Sequence, residues 1–382
     1  MDAMITAPSG RPTLITDLAR VVANYRLLAA HLAREGASPI AVVKANAYGH
    51  GAVPVATALY AAGARRFAVA TLAEGLALRA ALPEGRILVL GYVPPEGAPY
   101  AAEAELTLTV TERKTAKAFS QKLRGQSLRV AFKLNTGMNR WGFPTDAAHL
   151  PGTVRAVCAA AAEEGLVPEE LYSHLGTAEE PKGVYTLRQR ARFFAARKAL
   201  TAAGLSLPAH LCASAAVLTV GACGLPLARV GLALYGYAPV EGVLPLRPAS
   251  RLLCPIGQCY SLAPGEAVGY GARFVARRRE RIGILPIGYA DGLPRAAEGG
   301  LVRVGGVPCP LIGRISMDAA AVLLTEAPRE ARTAVIFGEE TADLWRLAAA
   351  ADTIPYELLA GLGTRIDRKY IYGKDNGTCD TE

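Results

Sequence analysis

Short apolar runs rich in β-branched residues alternate with longer Ala- and Leu-rich segments between residue 39 and about residue 236. The short runs have the length of buried strands, and the longer segments place apolar residues at helical spacing. The pattern predicts strands at residues 40–45, 66–71, 87–92, 106–110, 128–135, 171–175, 209–213 and 227–234. It predicts helices between them, among others at residues 53–62, 73–81, 111–122 and 185–203.

Eight such units predict an α/β fold, a closed (β/α)8 barrel of the TIM type. An open doubly wound sheet is the alternative, but no GxGxxG sequence follows the first strand, which weakens a dinucleotide-binding interpretation. After Tyr237, Gly and Pro punctuate a series of β-rich runs, as in a mostly-β module. These runs lie at residues 267–276, 281–286, 301–304, 309–315, 319–324 and 333–337, before a final helix at 341–350.

The change of pattern predicts a two-domain organisation. We expect a barrel domain over residues 13–237, a smaller mostly-β C-terminal domain over 238–373 and a polar tail over 374–382. Residues 1–16 include a candidate strand, 12–15, that would pair with the C-terminal domain. A length of 382 residues is ample for two cores.

Composition excludes several classes of function. The net charge is +9, but basic residues cluster only at 277–281. Such a cluster is more typical of a solvated turn than of a nucleic-acid site. Seven cysteines without a CxxC pair predict free thiols in a reducing cytoplasm and no metal site. The uncharged stretch 211–228 contains glycines and a proline, so two buried strands around a short helix are expected rather than a membrane span.

Polar residues recur where the predicted barrel strands end, and chemistry in such barrels gathers at that rim. Lys44 is the most informative, because a lysine that ends an apolar strand is costly to bury unless it is used. Burial also lowers the pKa of a lysine and favours the free amine that forms an imine. Spacing alone leaves open a lysine whose amine reaches solvent at the rim. The other rim residues are Lys133, Asn135, His174, Ser214 and Arg229.

Residues 41–51, AVVKANAYGHG, resemble the pyridoxal-phosphate (PLP) binding motif of the alanine racemase family. Further segments resemble that family in the same order along nearly the whole chain, which makes the resemblance specific. They are residues 133–142, 172–174, 229–236, 268–271, 288–292, 313–318 and 356–357.

The resemblance implies a racemase with two bases. Lys44 would hold PLP and act on one face of the substrate, and Tyr270 of the partner subunit would act on the other, so the active unit would be a homodimer with shared sites. A tyrosine with a pKa of about 10 needs cationic neighbours to act as a base, and His174 and Arg229 are the implied ones. Arg229 would face the pyridine nitrogen without giving up its proton, which favours racemisation over transamination.

The resemblance also implies how coenzyme and substrate are held. The phosphate would be bound by Ser214, the amides of Gly231 and Leu232, and the hydroxyls of Tyr48 and Tyr356. The substrate carboxylate would meet Arg140 and the amide of the partner's Met317, with Lys133 carbamylated as a partner for Arg140. Tyr289, Asp291 and Asp318 would support the entrance or the dimer.

Three departures from the family pattern bear on substrate. Asn135 stands where an aspartate is usual, Ala213 where an asparagine is common, and Gly269 where a serine is common. The Val268–Gly271 form also resembles racemases that accept serine, although Tyr356 favours alanine by closing the pocket.

The expected reaction is L- to D-alanine interconversion in the cytoplasm, supplying peptidoglycan, with no nucleic-acid or membrane partner. The alternatives are substantial serine activity, a related PLP barrel enzyme such as a basic amino-acid decarboxylase, or a non-catalytic PLP carrier. The β module that carries Tyr270 and Met317 argues against a carrier, because carriers of this kind tend to be a lone barrel.

Overall fold

The computed structural model describes residues 10–238, 240 and 242–373 of the chain. Its first half contains the strands of the barrel and the two short strands β1 and β7. The strands are β1 (Thr13–Asp17), β2 (Ser38–Val42), β3 (Arg66–Val69), β4 (Arg86–Val89), β5 (Thr107–Val110), β6 (Leu128–Asn135), β7 (Phe143–Pro144), β8 (Leu166–Tyr172), β9 (Ala209–His210) and β10 (Leu227–Val230).

Eight of these strands close a parallel barrel. Their order is β5-β4-β3-β2-β10-β9-β8-β6, and β5 pairs with β6 to complete the ring. The apolar runs are buried on both faces, as the Val- and Leu-rich strand sequences require, and they join one continuous core. The predicted TIM-type fold is confirmed.

Helices cover the barrel between its strands. They are α1 (Leu18–Ala33), α2 (Lys44–Tyr48, a single left-handed turn), α3 (Ala52–Ala61), α4 (Leu72–Arg79), α5 (Ala98–Glu103), α6 (Arg113–Lys122), α7 (Leu150–Ala161), α8 (Val184–Ala202) and α9 (Ser214–Val220). The uncharged stretch 211–228 holds α9 between β9 and β10, as predicted. None of the helices in the described ranges is long and apolar enough to cross a bilayer.

The second half forms the expected mostly-β domain. Its elements are β11 (Ser250–Pro255), β12 (Gln258–Leu262), β13 (Ala267–Val268), β14 (Phe274–Val275), β15 (Glu280–Leu285), β16 (Leu301–Val304), β17 (Val307–Ile312), β18 (Ala320–Leu323), β19 (Thr333–Phe337), α10 (Thr341–Ala350), α11 (Pro355–Ala360) and β20 (Asp367–Ile371). The sheet order is β12-β15-β18-β17-β16-β19-β11-β1-β20, so strand β1 from the start of the chain pairs within this sheet.

Several predicted strands were wrong in extent. Those predicted at 66–71, 87–92, 209–213 and 227–234 end earlier, at Val69, Val89, His210 and Val230. The first ends at Val42 rather than at residue 45, because the chain turns left-handed after Lys44. The sixth starts earlier, at Leu166, because its charged residues face arginines at the lower end of the barrel. Residues 267–276 form the short hairpin β13–β14 with Tyr270 at its turn. The predicted polar tail, 374–382, lies outside the described residues.

The C-terminal domain packs on the barrel loop that carries Lys44. Arg368 donates a hydrogen bond from Nε to the carbonyl of Gly49 at 2.8 Å, and His50 contacts Ser250 at 2.8 Å between Nε2 and Oγ. A Cβ atom at Gly49 would lie 2.2 Å from the carbonyl oxygen of Leu359. Only glycine permits this approach, so α11 is fixed against the mouth of the barrel.

Candidate active site

Lys44 opens a left-handed turn at the end of β2. The residues from Ala45 to Tyr48 have φ values of 51° to 55°, although none is glycine. Such a conformation costs about 1–2 kcal/mol per residue, so the surroundings must hold it. Glu74 contributes by accepting a hydrogen bond from the amide of Ala45 at 2.7 Å, which helps to hold the turn at the barrel mouth.

Four cationic side chains converge on this mouth: Lys44, Lys133, Arg140 and Arg229. Burial and the charges of Arg140 and Arg229 lower the pKa of Lys44. Burial and the other three cations lower the pKa of Lys133 to about 8. None of the four forms an ion pair with a carboxylate among the described residues. The site is therefore electropositive and fits an anion.

Arg229 is buried at the centre of a hydrogen-bond network. Its Nη2 donates to the carbonyls of Ser173 at 2.8 Å and Leu211 at 3.0 Å, and to Nδ1 of His174 at 3.1 Å. Its Nη1 donates to Nδ1 of His210. All these partners are neutral acceptors, so no carboxylate pairs directly with the guanidinium. Burial lowers the pKa of Arg229, although arginine stays protonated in proteins.

His210 is the residue of this network that the sequence analysis missed. Because its Nδ1 accepts from Arg229, its proton is on Nε2, which donates to Glu170 at 3.0 Å. The ring stacks on Tyr172 at 4.9 Å, and burial lowers its pKa to about 4. A histidine within the seventh predicted strand, 209–213, was the available signal. Glu170 lay outside the predicted sixth strand, so its hydrogen bond with His210 could not be inferred.

His174 is neutral in this arrangement. Its Nδ1 accepts a hydrogen bond from Arg229, and burial with four nearby cations holds its pKa well below the ordinary value. The expectation that His174 supplies a second positive charge is therefore not supported. Arg229 supplies the charge, and His174 can only relay a hydrogen bond.

The residues predicted to hold a phosphate lie together. Ser214 Oγ accepts the amides of Gly231 at 2.9 Å and Ala233 at 3.4 Å. A Cβ atom at Gly231 would lie 2.5 Å from the Tyr48 hydroxyl, so the absence of a side chain keeps this cradle open. The rings of Tyr48 and Tyr356 are 6.2 Å apart. Burial raises the pKa of Tyr356 to about 12, so its hydroxyl stays a hydrogen-bond donor.

Leu232 begins a short 3₁₀ helix over Leu232–Tyr235 at the edge of the same cradle. The first amides of a helix lack partners within it and suit an anion. The predicted amide contribution of Leu232 is compatible with this position and stays a prediction.

Arg140 lies on an exposed loop beside the buried cations. It lines one small cavity together with Lys133 and His174, and a second cavity of about 620 Å³ on the side of Trp141. Lys44 does not line the larger cavity, so that volume is not the reaction site. Asn135 shapes the loop: its Oδ1 accepts the amide of Gly137 at 3.1 Å, and its Nδ2 donates to Asn139 at 3.1 Å.

The C-terminal residues predicted for the site share one exposed surface. Tyr270 is 68% exposed, Met317 52% and Tyr289 43%. The Tyr270 hydroxyl has no hydrogen-bond partner among the described residues. The loops are tied together by Arg365, which pairs with Asp291 at 2.7 Å and with Asp318 at 2.8 Å. One chain alone thus presents Tyr270 and Met317 outward, and their role stays a prediction.

Comparison with known proteins matches both domains. Residues 16–239 match the family model of the alanine racemase N-terminal domain, and residues 249–370 match that of the alanine racemase C-terminal domain. An alanine racemase from Methylobacterium nodulans is 40% identical over 97% of this chain and 99% of its own.

Solved structures agree. The alanine racemase from Streptomyces coelicolor A3(2) has a TM-score of 0.87 at 34% identity, covering 96% of this chain and 99% of that one. An alanine racemase from Bartonella henselae with covalently bound pyridoxal phosphate has a TM-score of 0.84 at 29% identity, covering 94% and 99%.

Proposed function

The chain belongs to the alanine racemase family of isomerases, and on that premise we propose that it interconverts L- and D-alanine with PLP, using Lys44 and Tyr270 as the two bases. One observation carries the proposal: four cations meet at the barrel mouth without a carboxylate partner among the described residues. A phosphorylated coenzyme and an amino-acid carboxylate would supply the missing negative charge.

The residues present fit PLP. Ser214, the amides of Gly231 and Leu232, and the hydroxyls of Tyr48 and Tyr356 would hold the phosphate, and Lys44 would hold the aldehyde end covalently. When bound, PLP withdraws electrons from the α-carbon of an attached amino acid and lowers the pKa of its α C–H.

Lys44 has the properties that a proton carrier needs. The pKa of its amine is lowered by burial and by two arginines, so a larger fraction is neutral near pH 7 than for an exposed lysine. The left-handed turn that follows holds its backbone at the end of β2, and from there Nζ would act on one face of the substrate. Nζ would take the α-proton from one enantiomer and, in the reverse direction, would deliver the proton that re-forms that same enantiomer.

Arg229 sets the direction of the chemistry. Its guanidinium would donate a hydrogen bond to the pyridine nitrogen and keep its own proton, since all its protein partners are neutral. A ring nitrogen that stays unprotonated draws less charge into the ring, which favours reprotonation at the α-carbon.

Tyr270 would be supplied by a second copy of the chain. Its exposed phenol on the hairpin β13–β14, beside exposed Met317, supports a homodimer in which each site borrows a base. The positive charge of Arg229, relayed through His174, would stabilise the phenolate. The amide of the partner subunit's Met317 would join Arg140 on the substrate carboxylate.

Lys133 would carry a carbamate. Its pKa of about 8 leaves an appreciable fraction of free amine to react with carbon dioxide. A carbamate would replace repulsion between Lys133 and Arg140 by attraction and would hold Arg140 in place.

Borohydride reduction of the coenzyme-loaded protein, followed by peptide mass analysis, tests the site. The proposal expects one phosphopyridoxyl group per chain, on Lys44. It also expects a separate, unreduced sample to convert L-alanine to a nearly racemic mixture. Label on another lysine, or full labelling without racemisation, would reject it; the latter would indicate a PLP carrier.

The D-alanine formed would feed peptidoglycan synthesis in the cytoplasm, without a nucleic-acid or membrane partner.

A further inference from the structure

Two thiols bracket the helix that begins at the phosphate cradle. Cys212 and Cys223 lie on either side of α9, and the thiol of Cys212 donates a hydrogen bond to the sulfur of Cys223 at 3.4 Å. The described cysteines are all free thiols, and the proposed function uses none of them. These two are close enough to react with each other after a modest shift.

The two thiols differ in exposure. Cys223 is partly exposed and has a φ of 56°, between Gly221 and Gly224 with φ values of 66° and 69°. Cys212 is buried, and its carbonyl accepts the amide of Arg229 at 3.0 Å. A small disulfide in solvent can therefore reach Cys223, whereas Cys212 is anchored to the active-site strand.

The partly exposed thiol is also the more reactive one. The hydrogen bond from Cys212 and the charge of Arg190 lower the pKa of Cys223, because both stabilise its thiolate. Low pKa together with access is the combination that makes a thiol attack a disulfide.

We propose that Cys212 and Cys223 form a reversible redox site that exchanges with low-molecular-mass disulfides such as oxidised glutathione, and that closing it weakens coenzyme binding. The Cys223 thiolate attacks the small disulfide, forms a mixed disulfide and releases one thiolate. The Cys212 sulfur, losing its proton to that thiolate, then attacks Cys223 and releases the second. The two cysteines lose two electrons, and the oxidant leaves as two thiols.

The second part of this proposal rests on the proposed function. A disulfide requires about 2.05 Å between the sulfurs, so the present 3.4 Å must shorten by more than 1 Å. Cys212 is two residues before Ser214, whose hydroxyl holds the amides of Gly231 and Ala233. Displacing Ser214 would lose about one charge-assisted hydrogen bond to the phosphate, a roughly tenfold weaker PLP affinity.

The test begins on coenzyme-free protein exposed to oxidised glutathione. Trypsin cuts after Lys198 and Arg229, so both cysteines fall in one peptide without a third. That peptide should become lighter by two hydrogen atoms and recover its mass with dithiothreitol. A stable glutathione adduct, or an unchanged peptide, would overturn the redox site.

The effect on the coenzyme is measured separately, by titrating PLP into oxidised and reduced protein. A Kd roughly tenfold higher after oxidation is expected. Equal Kd values would overturn the coupling, whereas failure of reduced protein to bind PLP would overturn the proposed function and leave the thiol result intact.

Matched variants localise the effect. Cys223→Ser should abolish both the mass change and the change in Kd. Cys259→Ser, which removes an exposed thiol in the other domain, should leave both intact. If Cys223→Ser does not fold, Cys212→Ser serves the same purpose. An oxidation response that persists without either sulfur of the pair would contradict the assignment.

Discussion

Acid should destabilise this fold through the buried histidine that joins its domains. His50 is fully buried; its Nδ1–H donates to the carbonyl of Ala47 at 2.9 Å, and its Nε2 accepts from Ser250 at 2.8 Å. Both ring positions are thus satisfied by the neutral form. Burial lowers the pKa of His50 to about 4, and nearby Arg368 acts in the same direction.

The loss of stability in acid follows from the difference between the folded and unfolded pKa of each histidine. A histidine whose folded pKa lies below its unfolded value contributes stability above the unfolded pKa, about 6.5, and loses it as pH falls toward 4. Between pH 7 and pH 5 the loss is about 2 kcal/mol for His50. His210, also fully buried with a pKa lowered to about 4, adds about the same amount. Together they predict a loss of about 4 kcal/mol.

Urea unfolding at pH 7, 6 and 5, with protein and coenzyme concentrations fixed, measures this loss. His50→Gln should cost about 1 kcal/mol at pH 7 through a lost hydrogen bond. Between pH 7 and pH 5 the free energy of unfolding of this variant should fall by about 2 kcal/mol less than that of the original chain. His149→Gln is the matched control, because the His149 side chain is 64% exposed. Parallel pH profiles for His50→Gln and the original chain would refute the argument.

Three further changes test the site. Tyr270→Phe should keep the coenzyme absorbance but slow racemisation from either enantiomer by about 10²- to 10⁴-fold in a chiral assay; unchanged rates would exclude this phenol as a base. Gly231→Ala, whose new methyl would lie 2.5 Å from the Tyr48 hydroxyl, should weaken PLP binding roughly tenfold in a titration; an unaltered Kd would contradict the cradle. Tyr356→Asn should raise the serine-to-alanine ratio of kcat/KM on the order of tenfold, since it opens the pocket; a constant ratio would show that Tyr356 does not limit substrate size.

The barrel could be predicted because its strands are short apolar runs with both faces buried. Local sequence patterns did not indicate where the strands end. Nothing in Ala45–Tyr48 indicates four positive φ values, since the turn depends on distant contacts, including Glu74 and the packing of His50 against Ser250. The hairpin around Tyr270 was hidden in a run of strand-like residues, although Gly269 and Gly271 adopt positive φ there.

The candidate site was predictable residue by residue but not as a network. Lys44, Lys133, Ser214 and Arg229 were found because polar groups at strand ends meet on one rim. The hydrogen bond between Arg229 and His210 was not predicted, because the two residues lie on separate strands that meet only in the folded chain. The neutrality of His174 likewise depends on the charges gathered around it, which no single segment reveals.

The most direct test of the two-base account follows the hydrogen on the α-carbon. L-alanine deuterated at that position is converted in ordinary water, and the D-alanine formed in the first turnovers is analysed by NMR or mass spectrometry. Two bases on opposite faces predict that the product carries hydrogen from solvent, since the base that removes deuterium is not the one that delivers the proton. D-alanine that retains the original deuterium would mean that a single group does both, and would contradict the roles given to Lys44 and Tyr270.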